Sequence, residues 1–152
     1  GKAFGVGGAF VAGSRVLRDW LWNRGRSFVF STGVSPALMA EASTRLPEVR
    51  AMTGARSRLH GVSAELRAGM RGLGCEVLGE GPVVPWVLGD PRRAVLTAEA
   101  LQERGYFVQA IRPPTVAPGT SRIRLAVSAG HTAGQVEGLL EAIGDTRPVW
   151  GA

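Results

Sequence analysis

Apolar residues recur at three- and four-residue intervals through the middle of the chain, at Leu59, Val62, Leu66, Met70 and Leu73. That spacing gathers them on one stripe of a helix turned toward a core. Ser35-Pro36 reads as an N-cap followed by proline at the first helical position. A helical pattern is therefore predicted from 36 to about 73, interrupted or kinked at Pro47 and near Gly54. Ahead of it, residues 1–8 read as a glycine-rich loop and Ala9–Ala12 as a short apolar strand. Ser14 is placed to cap a helix near 15–25, and Ser27–Thr32, rich in aromatic and hydroxyl side chains, reads as extended.

The pattern changes at 72–85, where glycine and proline accumulate in Gly79-Glu80-Gly81-Pro82. Val83–Leu88 is a short apolar strand ended by Gly89-Asp90-Pro91, and a helix follows near 92–104 with Gly105 as its left-handed C-cap. Tyr106–Ile111 and Arg122–Ser128 read as strands around a proline-bearing loop, and a last helix is expected near 132–143. Strand, helix, strand, loop, strand, helix is an α/β layer arrangement. The composition shift divides the chain into a first part, 1–73, and a small α/β part, 74–152.

Charge and cysteine content narrow the function classes. A net charge of +6 invites a nucleic-acid or membrane-surface reading. The arginines are spread from Arg15 to Arg147, however, and the densest group, Arg15 to Arg26, alternates with Trp20 and Trp22 as a solvated helix face would. That dispersal leaves no nucleic-acid and no membrane-surface partner expected, and no apolar run approaches the ~18 residues of a membrane span. One cysteine, Cys75, excludes an intramolecular disulfide and fits a reducing, cytoplasmic setting. His60 and His131 stand far apart with no cysteine at ligand spacing, so no metal site is expected.

Lys2 is the only lysine, against seventeen arginines. A solvated positive charge can be supplied by either side chain, but only an amine can lose its proton and attack a carbonyl. Lys2 is thus a candidate Schiff-base nucleophile or general base, and small residues around it allow close approach. A second constellation is Ala110–Leu125, in which a proline-stiffened loop is bracketed by Arg112, Arg122 and Arg124. On an alternating strand Arg122 and Arg124 share a face, and either presents a fork suited to a carboxylate. Ser31-Thr32, two hydroxyls just before a helix start, suits a phosphate.

Gly1-Lys2, Phe30-Ser31-Thr32, Ala110-Ile111-Arg112-Pro113-Pro114-Thr115-Val116 and Ala129-Gly130-His131-Thr132 together resemble the carboxy-terminal part of the α-oxoamine synthase family of pyridoxal-phosphate enzymes. The proline loop is similar to that of the branch joining L-alanine to a pimeloyl thioester, on coenzyme A or a carrier protein, in biotin synthesis. The resemblance implies the carboxy-terminal portion of the fold-type I transferase fold. Residues 1–73 then close the large cofactor-binding domain, and 74–152 form a small α/β domain. It implies pyridoxal 5'-phosphate as cofactor, held by Lys2, which also serves as base. Ser31 and Thr32 would reach the cofactor phosphate of the partner subunit of a homodimer with a shared active site. Arg124 would grip the amino-acid carboxylate, Thr115 would contact substrate, and Arg112 would line the same entrance.

The family usually carries serine at the position of Gly7 and proline at that of Ser35. Its aspartate on the pyridine nitrogen, its stacking ring and its phosphate-binding turn lie upstream of the matched region. The chain is therefore expected to be a piece of a longer enzyme and inactive alone, with exposed apolar surface where the remainder would pack. Two other readings stand beside this one. A related synthase condensing glycine or serine is opposed by the proline loop, and a basic binding module through Arg15–Arg26 leaves that loop unexplained.

Overall fold

The computed structural model describes residues 2–151, which form two compact units, one ending at Thr53 and one beginning at Gly54. In the first unit the chain leaves the glycine-rich loop and enters helix α1, Arg15–Arg24. Its N-cap Ser14 accepts from the Leu17 amide at 3.2 Å, as the sequence predicts. Helix α2 is a single turn, Arg26–Val29, and α3 spans Pro36–Ala51 behind Ser35.

Two predicted extended segments are absent here. Residues 9–12 are irregular, and 27–32 holds helix α2 and a turn instead of a strand. A strand needs a neighbour to take its backbone N–H and C=O groups, and the described residues of this unit contain none. The aromatic side chains of 27–32 serve the helix instead, with Phe28 packed edge-on to Trp22 at 5.5 Å. Helix α3 also runs through Pro47. Pro47 cannot donate to the Ser43 carbonyl, but both residues are exposed, so water can satisfy that carbonyl. The break comes at Met52.

All but the first residue of helix α4, Thr53–Gly72, belongs to the second unit, and its Val62, Leu66 and Met70 are buried. The expected stripe is therefore real, and it belongs to this unit. The sheet order is β1-β2-β4-β3, every pair antiparallel. The strands are β1 Glu76–Val77, β2 Val83–Gly89, β3 Gln109–Ile111 and β4 Ser121–Ala126. Helix α5, Pro91–Glu103, joins β2 to β3, which run parallel with β4 between them, a split βαβ unit. Helices α6, Ala133–Asp145, and α7, Arg147–Trp150, complete it.

One sheet face is a core. Val84 and Trp86 of β2 lie opposite Leu125 and Ile123 of β4, and all four join Leu66, Met70, Leu101, Val136 and Ile143 in one buried cluster. Each of these side chains contributes roughly 1.5–3 kcal/mol by leaving water. The helix α4 side chains in that cluster explain why the units divide at Thr53/Gly54, whereas composition alone shifts near 73.

Local signals hold this unit in register. Asp90 caps α5 by accepting from the Arg93 amide at 2.8 Å. Gly105, at φ +85°, ends the same helix: the Tyr106 amide donates to the Leu101 carbonyl at 3.0 Å and the Gly105 amide to that of Gln102 at 2.9 Å. Thr132 and Gln135 form a reciprocal capping box at the start of α6.

Candidate functional site

Lys2 sits where the glycine-rich loop makes its first turn, the Gly5 amide donating to the Lys2 carbonyl at 3.1 Å. Its side chain is exposed and has no carboxylate partner among the described residues. It borders an open concavity of about 580 Å³, lined also by Phe4, Val6, Phe10, Leu38 and Leu46. A side chain at Gly7 would have room there, since a β-carbon would meet only Leu38 Cδ1 at 3.9 Å. The serine usual in the resembled family is thus sterically neutral at this position.

Ser31 and Thr32 are both exposed in the turn after α2. The exposed Ser31 hydroxyl donates to the Ser27 carbonyl, closing that turn. The basic group of α1 and α2 is engaged locally. Arg18 pairs with Asp19 at 2.7 Å, Arg24 lies over the Trp20 ring at 5.6 Å, and Arg26 lies over Phe30 at 5.9 Å.

The second unit carries the remaining candidates, and the sheet decides which of them share a surface. Strand β4 alternates buried Ser121, Ile123 and Leu125 with outward Arg122, Arg124 and Ala126. Arg124 is flanked in register by Pro85 on β2 and Gln109 on β3, and Arg122 by Val87 and Ile111. None of these six is buried, so the face opposite the helices is an open basic surface. Arg124 is exposed, and neither arginine has a carboxylate partner among the described residues. The Arg122 Nε donates to the Thr120 carbonyl at 2.9 Å, so its head is oriented while its two terminal nitrogens stay available.

Arg112 and Thr115 stand in the loop that leaves β3, both exposed, with the Thr115 amide donating to the Arg112 carbonyl at 3.0 Å. The fold therefore brings Arg112, Thr115, Arg122 and Arg124 to one strand pair and its loop. Lys2, Ser31 and Thr32 belong to the other unit.

Sequence reasoning missed two features. The partners of Arg124, Gln109 and Pro85, follow from strand register, which has no local sequence signal. Arg67 reads as one more solvated arginine but is 4% exposed. Its guanidinium donates to the carbonyls of Gly81 at 2.6 Å, Val83 at 2.8 Å and Ser63 at 3.2 Å, tying the β1–β2 turn to α4. Burial, then the nearby Arg71, pull its pKa below the usual arginine value. Elsewhere, burial pushes the Cys75 thiol up to about 11, against a smaller opposing pull from Arg147. His131 is used locally, its Nδ1 accepting from the Ser128 amide at 3.2 Å. Among the described residues no group of three or more His, Cys, Asp or Glu could hold a metal ion, and no helix is long and apolar enough to cross a membrane.

Comparison with known proteins gives this geometry a family. The chain is 47% identical over 149 residues to 8-amino-7-oxononanoate synthase of Anaeromyxobacter dehalogenans (strain 2CP-C), covering 97% of this chain and 38% of that protein. It is 40% identical over 141 residues to 8-amino-7-oxononanoate synthase 2 of Bacillus subtilis (strain 168), covering 92% of this chain and 36% of that one. The chain thus spans little more than a third of the length of these curated relatives. Its fold is similar to that of Sphingomonas wittichii serine palmitoyltransferase, with a TM-score of 0.81, 25% identity, and coverage of 97% of this chain and 38% of that one. It is also similar to that of 8-amino-7-oxononanoate synthase from Francisella tularensis, with a TM-score of 0.80, 21% identity, and coverage of 97% and 43%. A family model described as aminotransferase class I and II matches residues 1–143, and the chain belongs to that family.

Proposed function

We propose that this chain is the carboxy-terminal portion of a pyridoxal-phosphate-dependent synthase that condenses L-alanine with a pimeloyl thioester, releasing carbon dioxide and the thiol carrier. The observation that carries the reading is the 47% identity to an 8-amino-7-oxononanoate synthase across 97% of this chain. It is supported by the proline loop Ala110–Val116, which bears two of the three residues assigned to substrate, Arg112 and Thr115. Likeness to serine palmitoyltransferase at 25% identity makes a glycine- or serine-using synthase the weaker reading.

The residues present fit the cofactor at its two ends. An exposed, unpaired amine at Lys2 beside an open concavity suits attachment of an aldehyde, and the exposed hydroxyls of Ser31 and Thr32 suit a phosphate. When bound, pyridoxal phosphate supplies the electron sink that lets a carbanion form at the amino-acid α-carbon. In this reading Lys2 holds the cofactor, yields it to the amino acid, and then takes the proton from that α-carbon. Arg124 forks onto the amino-acid carboxylate and orients it until it departs. Ser31 and Thr32 serve the phosphate bound by the partner subunit of a homodimer, and Thr115 and Arg112 line the entry of the acyl donor. The three carboxylates of the first unit, Asp19, Glu41 and Glu48, are each paired with an arginine, Asp19 with Arg18 and the two glutamates with Arg45, so none is free for the pyridine nitrogen. The 152-residue chain by itself is accordingly inactive.

The test uses the full-length protein that contains this chain. Borohydride reduction in the presence of pyridoxal phosphate, followed by peptide mapping, is expected to place the phosphopyridoxyl group on Lys2. Labelling at another residue, or none, overturns the assignment. Condensation of alanine with a pimeloyl thioester by the 152-residue chain alone would overturn the prediction that it is inactive.

A further inference from the structure

The proposed reaction brings two carboxylates to the protein, because a pimeloyl group carries one at the end distant from its thioester. Arg124 accounts for the amino-acid carboxylate only. We infer that Arg122 binds the distal carboxylate of the acyl donor and selects dicarboxylic over monocarboxylic acyl chains. This rests on the synthase reading and deepens it.

Arg122 and Arg124 project from the same face of β4, two residues or roughly 6.7 Å apart along the strand. They are close enough to serve one active site and far enough apart to hold separate anions. Their surroundings differ in the way the two substrates do. Arg124 is exposed and flanked by the polar Gln109. Arg122 is half-buried, with Val87 on one neighbouring strand and Ile111 on the other, each roughly 4.8 Å away across the sheet. A guanidinium set between two aliphatic side chains matches a carboxylate at the end of a run of methylenes, which those side chains shield from water.

Competing uses of Arg122 are poor. Its Nε bond to Thr120 orients the head but supplies no negative charge. Glu76 lies in the same cross-strand row, yet Val87 of β2 intervenes, which puts its strand roughly 10 Å from β4. The two terminal nitrogens of this guanidinium carry no counter-ion among the described residues, and an incoming carboxylate would take them with two charge-assisted hydrogen bonds.

The test compares acyl donors in the full-length holoenzyme with Arg122→Leu and Arg122→Lys. Thioesters of pimelate, of its monomethyl ester and of heptanoate are assayed against L-alanine, each on coenzyme A and on N-acetylcysteamine. Arg122→Leu is expected to raise KM for the pimeloyl thioesters at least about tenfold, with KM for alanine and for the two uncharged donors within about twofold. Arg122→Lys is expected to recover part of the preference. Equal losses for all three acyl groups, or no change, overturn the assignment. A loss confined to the coenzyme A thioesters overturns it too, since Arg122 would then be reading carrier phosphates. Calorimetric binding of free pimelate and heptanoate to the same proteins separates this inference from the reading beneath it. If the wild type condenses none of the donors, the synthase reading fails. A pimelate preference that Arg122→Leu abolishes still supports the site, and equal binding of both acids still overturns it.

Discussion

Arg67 and Cys75 show how burial changes what a residue type means. An exposed arginine exchanges readily for lysine, but Arg67 supplies a planar fork to three carbonyls from inside the second unit. Arg67→Ala removes those donors and opens a void, so it should cost about 2–4 kcal/mol. Arg67→Lys should recover only a part, because one ammonium cannot span the three acceptors. Urea midpoints of the two variants check both statements. Cys75 acts through pH. Its folded pKa of about 11 lies above the value of 9.0 for an unperturbed thiol, so the folded state holds the proton longer than the unfolded one. Its contribution is fully present below pH 9 and is lost as pH rises through 11. Stability measured from pH 8 upward should therefore decline, and Cys75→Ala should flatten that decline. Alkylation of the native thiol should remain slow until the unit opens.

Among the elements, those with a short-range signal were legible in the sequence. Ser14 and Gly105, read as caps from the sequence, act on amides or carbonyls within a few residues, and Asp90 and Thr132 cap the two helices expected near 92 and 132. Thr132→Ala should lower the denaturation midpoint by about 1 kcal/mol of stability, with a smaller loss for Gln135→Ala, because each removes half of one box. What depends on distant partners was not legible. Residues 9–12 and 27–32 have strand composition, but composition cannot supply a neighbouring strand. Strand β1 is only two residues long and exists because β2 is beside it. The approach of α4 to α6 is hidden for the same reason. A β-carbon on Gly69 would fall 2.4 Å from Leu140 Cδ1, a closeness that follows from packing and leaves no trace in the residues around Gly69. The candidate site divides in the same way. Lys2 and the proline loop stand out by residue type, whereas the flanks of Arg122 and Arg124 are fixed by register.

At the scale of the whole chain the two units contrast in how much they bury. Val6 is the only buried side chain among the described residues of the first unit, and α1, α2 and α3 bury none. Phe10, Trp20, Trp22, Phe28 and Phe30 are all more than 60% exposed. The second unit holds a continuous core of fourteen residues. Residues 54–152 expressed alone should therefore unfold in one cooperative denaturant transition. Residues 1–53 alone should bind a hydrophobic dye and show no such transition. A cooperative transition in the shorter piece would refute this division of labour.

The four tryptophans follow the same partition. Trp20 and Trp22 face solvent in the first unit, while Trp86 and Trp150 are buried in the second with ring centroids 5.1 Å apart at 83°. Indoles in water emit at longer wavelength than indoles in a hydrocarbon setting, and two rings this close couple their electronic transitions. The chain consequently carries a built-in optical label for each unit. Near-ultraviolet dichroism should be dominated by the buried Trp86–Trp150 pair, and loss of that component, compared with a Trp86→Phe variant, should mark opening of the second unit.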